Sequence, residues 1–332
     1  MSPAPLTLST ADTGTVKIFG NLPEIPRVSG TIQSLRQTEA AEREQKGPPR
    51  LEAGVVEKDS TILARDGHPI PVRFYSPTVP STKGYPLVVA FHGGGFCLGG
   101  LDGEEADCRE FVKRHQCICV NVDYRLAPEY PFPTGVNDSW DALKWIAEHT
   151  AELKADPSKG FIVEGCSAGA NLAAVVSLMA RDKKLSPPLT GELLKIPCLL
   201  TADAVPAEYK PLYRSYEQNE DAAILPTPAI QIFWDSYKGD TSSWLFNPFN
   251  HPDGHAGLPP VYFQVCGMDP LRDEALIYEK VLREQYGVET NLKVYPGVPH
   301  GFWTAFPDLQ VSKKFVEDTS EALGWLLDRS KK

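Results

Sequence analysis

Residues 161–182 read Phe-Ile-Val-Glu-Gly-Cys-Ser-Ala-Gly-Ala-Asn-Leu-Ala-Ala-Val-Val-Ser-Leu-Met-Ala-Arg-Asp. A short apolar run that suits a buried strand meets a longer helical pattern, and Gly165-Cys166-Ser167-Ala168-Gly169 lies at the junction. A G-x-S-x-G pentapeptide arises often by chance, and a glycine-eased helix start explains it equally well in isolation. Set between a strand and a helix it has another meaning: a sharp turn that holds a serine in a strained conformation, with glycines two residues to either side admitting close neighbours. Ser167 is therefore the candidate nucleophile.

Working outward, further apolar runs of strand length occur at 86–92, 117–124, 195–202, 261–269 and 291–298. Helical patterns at 104–115, 140–150, 171–182 and 274–287 alternate with them, which predicts an α/β fold with a mostly parallel sheet and helices on both faces. Two further runs flank Asp66-Gly67 as a hairpin does, so the sheet starts near residue 55. The polar run 37–50 reads as an exposed helix ending at Gly47-Pro48-Pro49. Between 204 and 239 two helix-like pieces, 207–218 and 228–239, stand where one crossover suffices, and this interval reads as an insertion.

Composition narrows the function. A formal charge of -10 with no basic block argues against a nucleic-acid partner. No stretch approaches the roughly 20 apolar residues of a membrane span, and the N-terminus lacks a basic leader, so a cytoplasmic chain is expected. Its seven cysteines, an odd number in apolar contexts, read as buried thiols. Two patterns suggest metal and are set aside: Cys117 with Cys119 lacks a second pair, and His251 with His255 is separated by Pro252 and Gly254, which oppose a helix. Neither a metal nor a cofactor is expected.

Two more segments carry chemistry. His92-Gly93-Gly94-Gly95-Phe96 follows the apolar run ending at Phe91, where α/β sheets put their sites. Backbone N–H groups of Gly94 and Gly95, with that of Ala168, can converge on the negative oxygen that acyl transfer creates. A flexible glycine turn explains neither the histidine nor the position; His92 itself is expected to brace the loop. Asp269 and His300 each end an apolar run and complete the order Ser, Asp, His. Serine is a poor nucleophile until an imidazole takes its proton, and the imidazole needs a carboxylate to fix its tautomer.

With these residues in hand the chain resembles the hormone-sensitive-lipase-like carboxylesterases, a group that includes plant and fungal members. The resemblance runs from about Pro86 to Trp303. It rests on the HGGG and G-x-S-x-G segments, on Asp269-Pro-Leu-Arg-Asp-Glu274, on His300-Gly-Phe302 and on 121–133, Asn-Val-Asp-Tyr-Arg-Leu-Ala-Pro-Glu-Tyr-Pro-Phe-Pro. It implies an α/β-hydrolase fold with an eight-stranded sheet, Asp269 rather than Asp273 as the acid, and a helical cap over a pocket for short to medium acyl chains. The expected division is 1–50 cap, 51–203 core, 204–239 cap insertion and 240–332 core. Members commonly carry Asp and Gly where this chain has Cys166 and Ala170. Cys166 is the rival nucleophile, but the residue beside the turn serine points away from the base.

Phe96, Trp234, Phe302 and Trp303 are the expected pocket aromatics, with ordinary packing as the competing explanation for each. The expected partner is a small ester; the oligomeric state is open, with a homodimer as one option. Two rival functions use the same fold: a biosynthetic enzyme of lactone opening, deacetylation, acyl release or cyclisation, and a non-catalytic small-molecule receptor, against which the presence of His300 weighs.

Overall fold

A computed structural model describes residues 27–47 and 52–330. Its centre is an eight-stranded sheet in the order β1-β2-β4-β3-β5-β6-β7-β8. β1 (Val55–Leu63) and β2 (Pro69–Pro77) form the expected hairpin at one edge, with Gly67 at φ 83° in the turn. β2 runs antiparallel to β4 (Ile118–Val122), and every later pairing is parallel. β3 (Leu87–Phe91), β4 and β7 (Val261–Cys266) are buried along their whole length. That is why they read as near-continuous apolar runs, interrupted only by Asn121 in β4 and Gln264 in β7, rather than as alternating ones.

Helices cover both faces. α1 (Ile32–Lys46) starts on a Thr31–Ser34 capping box and ends at Gly47. α2 (Glu105–His115) and the C-terminal helix α9 (Gln310–Arg329) bury Phe111, Val112, Leu323 and Leu326 on one face of the sheet. On the other face lie α3 (Thr134–Glu148), α4 (Ala168–Asp182) and α7 (Arg272–Gln285), with α4 buried from Ala168 to Ala180. The interval 204–239 contains the short α5 (Ser215–Gln218) and α6 (Thr227–Tyr237), and α8 (Phe302–Ala305) follows the last strand. Of 207–218 only the final four residues are α-helical; Pro211 cannot donate to a helical ladder in the middle of that run.

One strand differs from its expected place. β6 is Gly191–Lys195, not 195–202; the chain continues through 196–200 as an irregular buried segment. Two charged residues, Glu192 and Lys195, disguise β6 as polar although both are buried. Pro197 and the left-handed Ile196, at φ 42°, keep the apolar run after it out of the ladder.

The parallel register aligns the strand ends. Phe91 pairs with Gly165 and Cys166 with Lys195; on the far side Cys266 pairs with Tyr295 of β8 (Thr290–Tyr295). The residues just beyond β3, β5 (Phe161–Cys166), β7 and β8 therefore meet at one edge of the sheet. Above it α1 touches α6, Val28 N–H donates to the Ile224 carbonyl at 2.8 Å, and Arg36 donates to the carbonyls of Cys97 (2.9 Å) and Ala127 (2.7 Å).

Candidate active site

Ser167 occupies the turn between β5 and α4 at φ 54°, ψ -116°, a region that non-glycine residues avoid. The surroundings hold it there. Its N–H donates to the Lys195 carbonyl at 2.8 Å, and its carbonyl accepts from Asn171 N–H at 3.1 Å. The flanking glycines are required by contact: a Cβ on Gly169 would lie 1.9 Å from the Phe91 carbonyl oxygen, and one on Gly165 would lie 2.3 Å from the Gly169 backbone.

Across the sheet edge, His300 Nε2 stands 3.0 Å from Ser167 Oγ, and His300 Nδ1 stands 2.6 Å from Asp269 Oδ2. An ionised carboxylate only accepts, so Nδ1 carries the proton and Nε2 is left to accept from the serine hydroxyl. The other Asp269 oxygen accepts from Leu271 N–H at 2.9 Å, which fixes the carboxylate plane. Asp269 and His300 are both buried.

Gly94 (φ 115°) and Gly95 (φ 60°) form a tight turn after β3, closed by Cys97 N–H and Leu98 N–H donating to the Gly94 carbonyl. Among the described residues the N–H groups of Gly94, Gly95 and Ala168 have no hydrogen-bond partner. His92 is fully buried and stacks on Tyr124 with ring centres 4.3 Å apart. Its Nδ1 meets the Gly93 carbonyl at 2.8 Å, and Tyr124 donates to the His92 carbonyl at 2.8 Å.

The acidic run after β7 divides its work. Asp273 Oδ2 accepts from Arg214 and Ser215 N–H, both at 2.7 Å, and its Oδ1 accepts from Arg272 Nε at 2.7 Å. Glu274, which sequence reading passed over, accepts from the N–H groups of Leu199 and Leu200. Its position inside a helical pattern gave no sign of that task. Burial pushes the Glu274 carboxyl well above the usual range.

A cavity of about 760 Å³ opens above Ser167 and His300. Trp234 and Trp303 line it, together with Phe233, Ile224, Leu225 and Ile230, of which Ile224, Leu225 and Ile230 carried no sign in the sequence. Two expected pocket aromatics belong elsewhere. Phe96 is buried and stacks on Tyr237 at 4.0 Å, and Phe302 is buried against Tyr295 and Phe315; neither borders the cavity. An apolar ring next to a site motif packs into the core as readily as it lines a pocket. Cys166 borders the cavity, but burial pushes its thiol well above the ordinary range, which opposes a thiolate nucleophile. His251 and His255 are engaged separately, with Asp182 at 2.9 Å and with the Phe249 carbonyl at 3.1 Å.

Residues 88–304 match the family described as alpha/beta hydrolase fold. The chain belongs to that family. It is 38% identical over 265 residues to carboxylesterase NlhH of Mycobacterium tuberculosis, which covers 78% of this chain and 79% of the relative. It is 35% identical over 249 residues to the versiconal hemiacetal acetate esterase of Dothistroma septosporum, covering 74% and 75%. Among solved structures it is similar to vibralactone cyclase, with a TM-score of 0.88 and 33% identity over 98% of this chain and 97% of the other. The resemblance to hormone-sensitive-lipase-like carboxylesterases holds, and the chain is an esterase-type hydrolase. No helix among the described residues is long and apolar enough to cross a membrane.

Proposed function

We propose that this hydrolase cleaves carboxylic esters of short to medium acyl chains through an acyl-enzyme on Ser167. The observation that carries this reading is the relay of contacts from Ser167 Oγ through His300 to Asp269, 3.0 and 2.6 Å long, at the floor of the cavity. His300 takes the serine proton as Oγ attacks the ester carbonyl and returns it to the departing alcohol. A water, activated by the same imidazole, then releases the acid. The negative carbonyl oxygen is held by the N–H groups of Gly94, Gly95 and Ala168, which are unspent and therefore cost no rearrangement. His92 braces the loop that presents two of them. The residues of α1 and of 204–239 that wall the cavity act as its cap, limiting chain length through Trp234, while Trp303 lines the cavity from α8. A cytoplasmic setting belongs to the same reading, supported by cysteines of which six are buried as thiols.

The test is a panel of nitrophenyl esters of increasing chain length, with Ser167→Ala beside the parent. Turnover of acetate to medium-chain esters that vanishes in Ser167→Ala is expected; undiminished turnover in that variant overturns the assignment. The likeness to vibralactone cyclase favours one second reading, a biosynthetic enzyme acting on a lactone or acetate of a secondary metabolite. A lactone and an aryl acetate in the same panel separate the two: marked preference for either over simple esters supports the second.

A further inference from the structure

We propose that a second cleft, beside the catalytic cavity, binds the far end of the substrate's acyl chain and favours a chain that ends in a neutral hydrogen-bonding group such as a hydroxyl. This rests on the esterase reading above. The cleft measures about 450 Å³, and two residues, Trp234 and Leu271, line both it and the catalytic cavity. One indole and one isobutyl group thus stand between the two spaces. Leu271 is itself tied to the site, since its N–H donates to Asp269. Trp234 is half-buried and meets Phe246 edge-on at 5.0 Å.

Beyond that wall the cleft carries hydrogen-bonding groups of its own. Glu274, only 3% exposed, lines the cleft. Its Oε2 is spent on the N–H groups of Leu199 and Leu200, and its Oε1 has no partner among the described residues. A carboxyl oxygen with no protein partner beside open space is a hydrogen-bonding position open to a ligand. The hydroxyl of Tyr216, also in the wall, likewise has no partner among the described residues. Asp203 and Asp235 stand exposed on the rim, so an anionic chain end meets repulsion there. A methyl end leaves Glu274 and Tyr216 unpaired. A hydroxyl end can donate to one and accept from the other, which sets the order hydroxyl, then methyl, then carboxylate.

The test uses nitrophenyl esters of acids of increasing length, each ending in methyl, hydroxyl or carboxylate, with the parent enzyme, Tyr216→Phe and Trp234→Ala. Short methyl-ended esters are turned over by the parent. Once the chain is long enough to pass Trp234, the hydroxyl-ended ester exceeds its methyl-ended partner in kcat/KM by roughly threefold to tenfold, the scale of one hydrogen bond. The carboxylate-ended ester is the poorest. Tyr216→Phe lowers the hydroxyl-to-methyl ratio, and Trp234→Ala admits longer hydroxyl-ended chains. A ratio near one at every length, with short esters still hydrolysed, overturns the subsite alone, as does a ratio that Tyr216→Phe leaves unchanged. Failure to hydrolyse short esters at all removes the esterase reading, and this inference with it.

Discussion

Asp269 and Asp273 lie four residues apart on either side of a helix start, and their partners separate them. Asp269 meets the imidazole of His300, whereas Asp273 holds the backbone of Arg214 and Ser215 and the guanidinium of Arg272. In Asp269→Asn the amide fills the same space but presents the wrong partner to Nδ1, so kcat should fall on the order of 10³–10⁴ with little change in thermal midpoint. Asp273→Asn should keep most of its turnover and lose about 1–3 kcal/mol of stability, because an amide cannot accept from all three donors. Turnover and melting measured for both variants decide it; an active Asp269→Asn beside an inactive, well-folded Asp273→Asn exchanges the roles. At this scale the sequence was informative where a residue ends a strand, as Ser167, Asp269 and His300 do. It was silent where a side chain reaches across the fold: Glu274 serves backbone groups 75 and 74 residues away, and nothing local marks that.

The loop after β3 and helix α6 meet face to face, and a glycine makes the meeting possible. A Cβ on Gly95 would lie 2.4 Å from the Phe233 ring, and Gly95 already sits at φ 60°, where an L side chain costs roughly 1–2 kcal/mol. Gly95→Ala must therefore push the loop or the helix aside and displace an N–H that the proposed mechanism assigns to the reacting oxygen. A fall in kcat of about 10² or more, with KM less affected and the fold retained, is the expected kinetic result. Parent-like kcat would remove Gly95 from the oxyanion site. Most elements were legible because a strand buried on both faces has few polar residues to interrupt it: none in β3, and only Gln264 among the apolar residues of β7. β6 was not, because Glu192 and Lys195 are paired inside the protein, one with Ser177 and the other with Glu104 and Asp107. A polar residue paired across the fold looks, in the sequence, like one facing water.

Over the whole molecule the same buried polar groups tie stability to pH. Glu192 is fully buried, accepts from Ser177 at 2.5 Å, and has its carboxyl pushed by burial from 4.5 up to about 8. The folded state then binds a proton that the unfolded chain has already released. The contribution is fully present below pH 4.5 and is lost as pH rises through about 8. Glu192→Gln stays neutral throughout, so its thermal midpoint relative to the parent should climb between pH 5 and pH 8.5. An equal difference at both pH values would show that Glu192 does not titrate in that window. The architecture as a whole followed from alternation of strand and helix patterns, whereas the cavity walls did not: Trp234 lines a cavity and Phe96 does not, although both were expected pocket aromatics. Only three-dimensional packing separates them.

In the proposed mechanism Ser167 forms the acyl-enzyme, and Cys166 beside it takes no part. A fluorophosphonate reacts with a serine activated by an imidazole and stays attached, so mapping its adduct by mass spectrometry reads the nucleophile directly. The account predicts a single adduct on Ser167 in the parent and in Cys166→Ser, and none in Ser167→Ala. An adduct on another residue, or an unlabelled parent that still hydrolyses esters, would contradict it.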